Sequence, residues 1–253
     1  MTENRWIVYP KRNPSASKRL FCFPYAGAAA HVFQTWPRFL PLDVEVIAIQ
    51  LPGRGKRLRE PMHTRMSTLC ENAFSAIKPL LDKPFMFFGH SMGAMISFEL
   101  ARLLRRERQP LPSYLFVSGR RAVQVREDEP RTYDLPEAEF IQELIRLNGT
   151  PREVLEHREL LELMLPLLRA DFELIYEYEY SPGQPFAFPI TAFGGLEDSE
   201  VSREQLEAWR EQTTATFRLH MVPGDHFFIH SAREEILQIM SEEFFKTSFS
   251  RSV

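Results

Sequence analysis

Three residues of different type, far apart in the chain, could together carry out nucleophilic chemistry. Ser91 stands in Gly-His-Ser-Met-Gly (89–93), one hydroxyl between two glycines. A serine hydroxyl is a weak nucleophile until a base takes its proton, so a histidine must reach it in the folded chain. His226 follows an apolar run and a Pro-Gly turn in Val-Pro-Gly-Asp-His-Phe-Phe (222–228), the setting of a loop. The imidazole needs a carboxylate to fix its tautomer. Asp198 supplies one after an apolar run and two glycines, in Phe-Gly-Gly-Leu-Glu-Asp (193–198). The chemistry such a set performs is acyl transfer through an acyl-serine.

The competitors are weaker. His90 adjoins the serine, so its side chain diverges from that of Ser91, while His31, His63, His157 and His220 lie in no supporting pattern and read as structural or solvated. His226 and His230 are four apart, but His-Phe-Phe-Ile-His lacks the glutamate of a zinc helix and no third ligand is apparent, so no metal is expected. Glu197 is the nearest rival to Asp198, and Asp225 is too close in sequence to His226 to turn back onto its ring.

These residues must be positioned by strands and helices in alternation. Short apolar runs at 20–23, 44–51, 85–88, 114–119, 190–193 and 217–222 read as strands. Amphipathic stretches at roughly 30–40, 64–81, 92–108, 202–212 and 231–245 read as helices. The alternation predicts an α/β protein with a mostly parallel central sheet and helices on both faces. Pro-Phe-Met-Phe-Phe before the serine and an amphipathic helix from it give strand, sharp turn and helix, the setting of a nucleophile elbow. The order Ser91, Asp198, His226 is that of the α/β-hydrolase fold. The helix start offers the Met92 N–H to an oxyanion, and the small-residue loop of Phe-Pro-Tyr-Ala-Gly-Ala-Ala (23–29) offers that of Ala26.

The alternation stops between about 120 and 185, where the chain reads as helical. Asp134 and Glu137 are spaced as a capping box for a helix that ends at Gly149, and a second run at 159–180 is more apolar than a surface helix needs to be. This segment is expected to be a lid insertion roofing a substrate channel.

The 253 residues, 44% hydrophobic and 26% charged, fit a single domain spanning 1–253. A net charge of −3 gives no reason to expect nucleic acid, and no apolar stretch approaches membrane-spanning length. With only Cys22 and Cys70 and no leader-like start, the expected location is cytoplasmic. Basic clusters at 53–59, 102–108 and 119–126 read either as solvated surface or as a rim for an acidic partner.

Several stretches together resemble the type II thioesterases associated with polyketide and nonribosomal peptide synthases. They are LFCFPYAGAAAHVF, IQLPGRGKRLREP, FFGHSMGAMISFELAR, LPLLRADFELIYEYEY, ITAFGGLEDSEV and VPGDHFFI, spanning about 19 to 230. The resemblance implies Ser91, Asp198 and His226 as triad, Ala26 and Met92 as oxyanion donors, and hydrolysis of aberrant or stalled acyl groups from the phosphopantetheine arm of a carrier protein. It implies no cofactor on the enzyme and a transient acyl or peptidyl carrier protein as partner. A general carboxylesterase or an acyltransferase on the same fold is the alternative, because the triad residues alone do not select a thioester. Two departures from the family pattern stand out: Leu196 and Ser199 replace residues of Gly-Gly-Asp-x-Asp-Pro, and Ala28 follows Gly27 in place of a second glycine.

Overall fold

Period-2 alternation in the central strands sends side chains to two opposite cores. In β2 (Lys18–Phe23), Phe21 and Phe23 join one core while Leu20 and Cys22 join the other. In β4 (Phe85–His90), Phe85 and Phe87 divide from Met86 and Phe88 in the same way. Each such phenylalanine, fully buried, contributes about 1.5–3 kcal/mol of transfer free energy. A strand apolar on both faces must be covered on both, which is why helices lie on each side.

The computed structural model describes residues 4–126, 130–150 and 152–249. Residues 127–129 and 151 of the expected insertion, and both ends of the expected 1–253 domain, lie outside the described residues. The remaining strands are β1 (Ile7–Val8), β3 (Val44–Ile49), β5 (Leu115–Ser118), β6 (Ile190–Gly195) and β7 (Phe217–Val222). They form one seven-stranded sheet in the order β1-β3-β2-β4-β5-β6-β7, parallel except for β1. Helices α1 (Met66–Ile77) and α2 (Met92–Arg106) cover one face, while α8 (Arg233–Phe249) covers the other through Ile236, Leu237 and Met240. This is the α/β-hydrolase architecture that the sequence predicts.

From β2 the chain goes to β3 on one side and then to β4 on the other, so the strand order reverses between β2 and β4. Crevices at such switch points, beyond the carboxyl ends of the strands, are where open α/β sheets bind ligands. Register places those ends together: Phe23 beside Gly89, His90 beside Ser118, and Gly195 beside Val222.

Between β5 and β6 run α3 (Glu137–Arg146), α4 (Arg152–Glu156) and α5 (Arg158–Tyr176). Phe140, Leu144, Leu161, Leu165 and Leu168 give them a small core of their own. The chain closes with α6 (Arg203–Glu207), the short α7 (Phe228–Ser231) and α8.

Three sequence expectations are corrected. The helix at 30–40 is two short 3-10 turns, Ala30–Phe33 and Trp36–Arg38, because Pro37 has no N–H to donate to the residue four back. Asp134 does not cap α3. That helix starts after Pro136 with no side-chain cap, and Asp134 pairs with Arg131 at 2.9 Å. Nor is Gly149 the residue that turns the chain: Asn148, at φ 54°, takes the left-handed conformation past the helix end.

Candidate active site

Ser91 is held at φ 51° and ψ −115°, outside the regions an L-residue prefers. Residues in such conformations persist only where their surroundings over-determine them. Here the Ser91 N–H donates to the Ser118 carbonyl at 2.7 Å and its own carbonyl accepts from Ala94 N–H at 3.0 Å. Strand and helix also meet too closely for side chains. A Cβ on Gly89 would lie 2.0 Å from the Gly93 carbonyl oxygen, and one on Gly93 would lie 2.1 Å from that of Phe23. The two glycines of the motif are therefore required by backbone contact. Met92, next in sequence, opens α2, where a backbone N–H has no partner within its own helix.

His226 Nε2 lies 3.1 Å from Ser91 Oγ, and its Nδ1 lies 2.9 Å from Asp198 Oδ2. The Asp198 side chain is 0% exposed and that of His226 16%, so the row of bonds runs from a buried carboxylate toward the cavity. The other oxygen of Asp198 accepts from the N–H groups of Glu200 at 2.9 Å and Val201 at 3.3 Å, which aims the carboxylate. These bonds close the turn that contains Ser199, so a proline is not needed to shape it, and the Asp198 N–H donating to the Gly195 carbonyl at 3.4 Å closes the turn that contains Leu196. The rivals are occupied elsewhere. Glu197 accepts from Gly224 N–H, and Asp225 accepts from Phe227 N–H and from Asn148. His230 Nε2 meets the Tyr25 hydroxyl at 2.8 Å.

The structure gives His90 a position that its place in the motif did not suggest. Fully buried, it bridges β5 and the His226 loop: Nε2 lies 2.9 Å from the His226 carbonyl and Nδ1 2.9 Å from Ser118 Oγ. A carbonyl only accepts, so Nε2 carries the proton and Nδ1 accepts from the serine. Burial, with the neighbouring His226 ring, pushes its pKa well below the ordinary histidine value, so the ring is neutral.

Ala26 and Ser91 line one cavity of about 220 Å³. Its walls are Tyr25 and Phe227 on the sheet side and Leu144, Leu147, Leu168, Phe172 and Ile175 on the insertion side. Arg120, Arg121, Glu143 and Arg146 add charge to the lining. The insertion is tied to the loops beneath it: Arg146 of α3 meets Glu200 at 2.8 Å, and Asn148 meets Asp225 at 3.0 Å. The arginines at 53–59 divide in use. Arg54 and Arg57 are 4% and 5% exposed, the first pairing with Asp171 of α5 and the second with Glu60, so neither belongs to a solvated rim.

No motif in the sequence marks His90, Arg54 or Asp171 as parts of this site. For Asp171 a signal exists: it shares the buried face of α5 with Leu167, Leu168 and Leu174, and a carboxylate on an apolar stripe demands a partner.

An imidazole between a serine hydroxyl and a buried carboxylate, opening on a pocket with apolar and charged walls, can transfer an acyl group. Known proteins narrow the chemistry. The family model of the thioesterase domain matches residues 18–244. The gramicidin S biosynthesis protein GrsT of Aneurinibacillus migulanus is 47% identical over 240 residues, covering 95% of this chain and 94% of GrsT. The medium-chain S-acyl fatty acid synthase thioesterase of Rattus norvegicus is 34% identical over 223 residues, covering 86% of this chain and 84% of the relative. The solved structure of RedJ, a thioesterase from the prodiginine pathway of Streptomyces coelicolor, superposes with a TM-score of 0.87 at 35% identity, covering 93% of this chain and 94% of RedJ. With the match running from β2 to the last turns of α8, this chain belongs to the thioesterase domain family and is an enzyme of that class.

Proposed function

We propose that this enzyme hydrolyses acyl groups, aberrant or stalled, from the phosphopantetheine arm of acyl or peptidyl carrier proteins in polyketide or nonribosomal peptide biosynthesis. The observation that carries the reading is the 3.1 Å approach of His226 Nε2 to Ser91 Oγ at the wall of a cavity lined by both apolar and charged side chains. Ser91 Oγ attacks the thioester carbonyl carbon as its proton passes to His226 Nε2. The Ala26 and Met92 N–H groups hold the oxyanion of the tetrahedral intermediate, an arrangement worth roughly 3 kcal/mol per donor in comparable sites. The C–S bond breaks, and the imidazolium gives its proton to the departing thiolate. Water then attacks the acyl-serine with His226 as base, releasing a carboxylic acid and restoring the serine. Asp198 holds the imidazole with Nε2 free to accept.

Relatives named for gramicidin S and prodiginine biosynthesis support the setting, and Arg120 and Arg121 on the cavity lining suit an anionic phosphopantetheine arm and an acidic carrier. No helix among the described residues is long and apolar enough to cross a membrane, and the proposed location is the cytoplasm, where such synthases work.

The test compares release of an acyl group from a carrier protein with hydrolysis of the matched oxygen ester, using Ser91→Ala as control. The expected outcome is fast thioester cleavage, little ester cleavage, and loss of at least about 10⁴-fold in kcat for Ser91→Ala. Ester cleavage as fast as thioester cleavage would replace this reading with a general carboxylesterase.

A further inference from the structure

Ala26 lies in a four-residue turn, Tyr25–Ala28, closed by the Ala28 N–H donating to the Tyr25 carbonyl at 3.1 Å. The Tyr25 carbonyl and the Ala26 N–H belong to one trans peptide, whose C=O and N–H point in opposite directions. With the carbonyl turned inward, the Ala26 N–H points out of the turn. Gly27, third in the turn, has φ +76°, as a type II turn requires. The outward direction of the Ala26 N–H is therefore set by the Ala28–Tyr25 bond, which lasts only while Gly27 and Ala28 keep their places in the turn.

The holding group comes from the insertion. Asp171 of α5, 1% exposed, accepts the Gly27 N–H at 2.7 Å on Oδ2. The same carboxylate is gripped by Arg54, whose two terminal nitrogens donate to Oδ2 and Oδ1, each at 2.7 Å. Arg54 also reaches the far end of the turn, donating to the Ala28 carbonyl at 3.3 Å, and is itself tied to the Pro52 carbonyl at 3.1 Å. A buried guanidinium–carboxylate pair with this fork geometry is rigid, and removing one member leaves the other an uncompensated buried charge. The turn is thus clamped at Gly27 and Ala28, immediately after the candidate donor.

We infer that Asp171 and Arg54 are positioning residues for the Ala26 oxyanion donor, so that the donor is correctly aimed only while α5 is seated. The inference rests on the serine-thioesterase reading above. It makes the insertion part of the catalytic apparatus as well as the wall of the acyl pocket.

The test uses the full chain with three ligands: a small acyl-pantetheine thioester, a trifluoromethyl ketone analogue whose serine adduct places an oxyanion in the hole, and the unreactive thioether of the same chain. Asp171→Asn is expected to lower kcat by about 10- to 100-fold, less than the loss of a whole donor, with KM within about threefold. Affinity for the ketone should fall by a similar factor, affinity for the thioether should hold, and the pH–rate profile should keep its shape. Arg54→Lys keeps the charge but not the fork, and is expected to follow in the same direction by about 3- to 10-fold. It serves alone if Asp171→Asn does not fold. Folded variants with wild-type kcat and ketone affinity would overturn the inference, as would equal weakening of ketone and thioether, the mark of a merely misshapen pocket. Full activity of Ser91→Ala would instead sink the reading beneath it, whatever Asp171→Asn does.

Discussion

The candidate nucleophile and the candidate oxyanion turn follow neighbouring strands, yet they are held by opposite means. The Ser91 turn is fixed by backbone meeting backbone: its glycines let α2 touch β2 and β4, and its amide bonds to β5 through Ser118. Every part of that support comes from the sheet and the helix that follows it. The Tyr25–Ala28 turn is fixed by side chains, and the group that holds its central peptide lies 144 residues away on α5. The first is a property of the α/β core. The second depends on what is inserted into that core. A fold that keeps its candidate nucleophile at the sheet and lends its candidate second donor to an insertion would vary the insertion for new substrates with its catalytic power tied to each change.

The largest effects should fall on the sheet side, where single bonds decide a tautomer. Asp198→Asn is expected to lower kcat by about 10⁴-fold, because an amide no longer dictates which imidazole nitrogen carries the proton. Glu197→Gln, one residue away, should stay within about threefold in kcat, since Glu197 bonds Gly224 and not the imidazole. Steady-state kinetics on a small thioester separates the two. Equal losses would mean that the acidic pair shares the role, and the sheet side would be less sharply specified than its geometry implies.

Next come the glycines, which compare the two supports directly. In Gly93→Ala the new Cβ meets the Phe23 carbonyl oxygen at 2.1 Å, and backbone cannot step aside without pulling α2 from the sheet. A loss above about 4 kcal/mol is expected, in the range that diagnoses a core defect. In Gly27→Ala the nearest atom is Leu168 Cδ2 at 2.7 Å, the end of a flexible side chain, and the added cost is the positive φ. About 1–2 kcal/mol is expected there. Urea unfolding of both variants gives the difference, and similar losses would erase the distinction between backbone and side-chain support.

Much of this arrangement is legible in the sequence. The glycine pair around Ser91, the strand before it and the amphipathic run after it specify the elbow, because period and turn chemistry act locally. Asp198 and His226 could be placed because each follows a strand at its carboxyl end, the edge where parallel sheets gather their loops. Ala28 raised the question of a missing glycine, and the structure answers it: the positive φ is at Gly27 alone of the two. The Arg54–Asp171 clamp was not legible. Its partners are 117 residues apart, and Arg54 sits among other arginines whose charge reads as surface. Only a long-range contact distinguishes a buried guanidinium from a solvated one. The same limit hid the role of His90, whose partners lie on β5 and in the loop after β7.

His90 supplies the smallest test and the most particular one, since it is a buried ionisable strut on the sheet side. Its ring is neutral in the fold because burial, with the nearby His226 and His230, disfavours the charged form. In the unfolded chain it titrates near the ordinary value of about 6.5. The depressed pKa fixes the sign: above about 6.5 both states are neutral there and the strut contributes fully, while below it the unfolded chain takes up a proton that the fold refuses. Stability should therefore fall with acidification below about pH 6.5, by up to about 1.4 kcal/mol per pH unit from this residue. His63 and His230, also lowered mainly by burial, add slopes of the same sign, but they are present in any His90 variant and cancel in a comparison. His90→Gln removes the titration and leaves an amide able to donate to the His226 carbonyl, so it should be less stable at pH 7 yet lose less between pH 6.5 and pH 5. Urea unfolding of both proteins across that interval measures the two slopes. Parallel curves would mean that the fold accommodates a charged His90, and the support beneath His226 would then be as adjustable as the turn that holds Ala26.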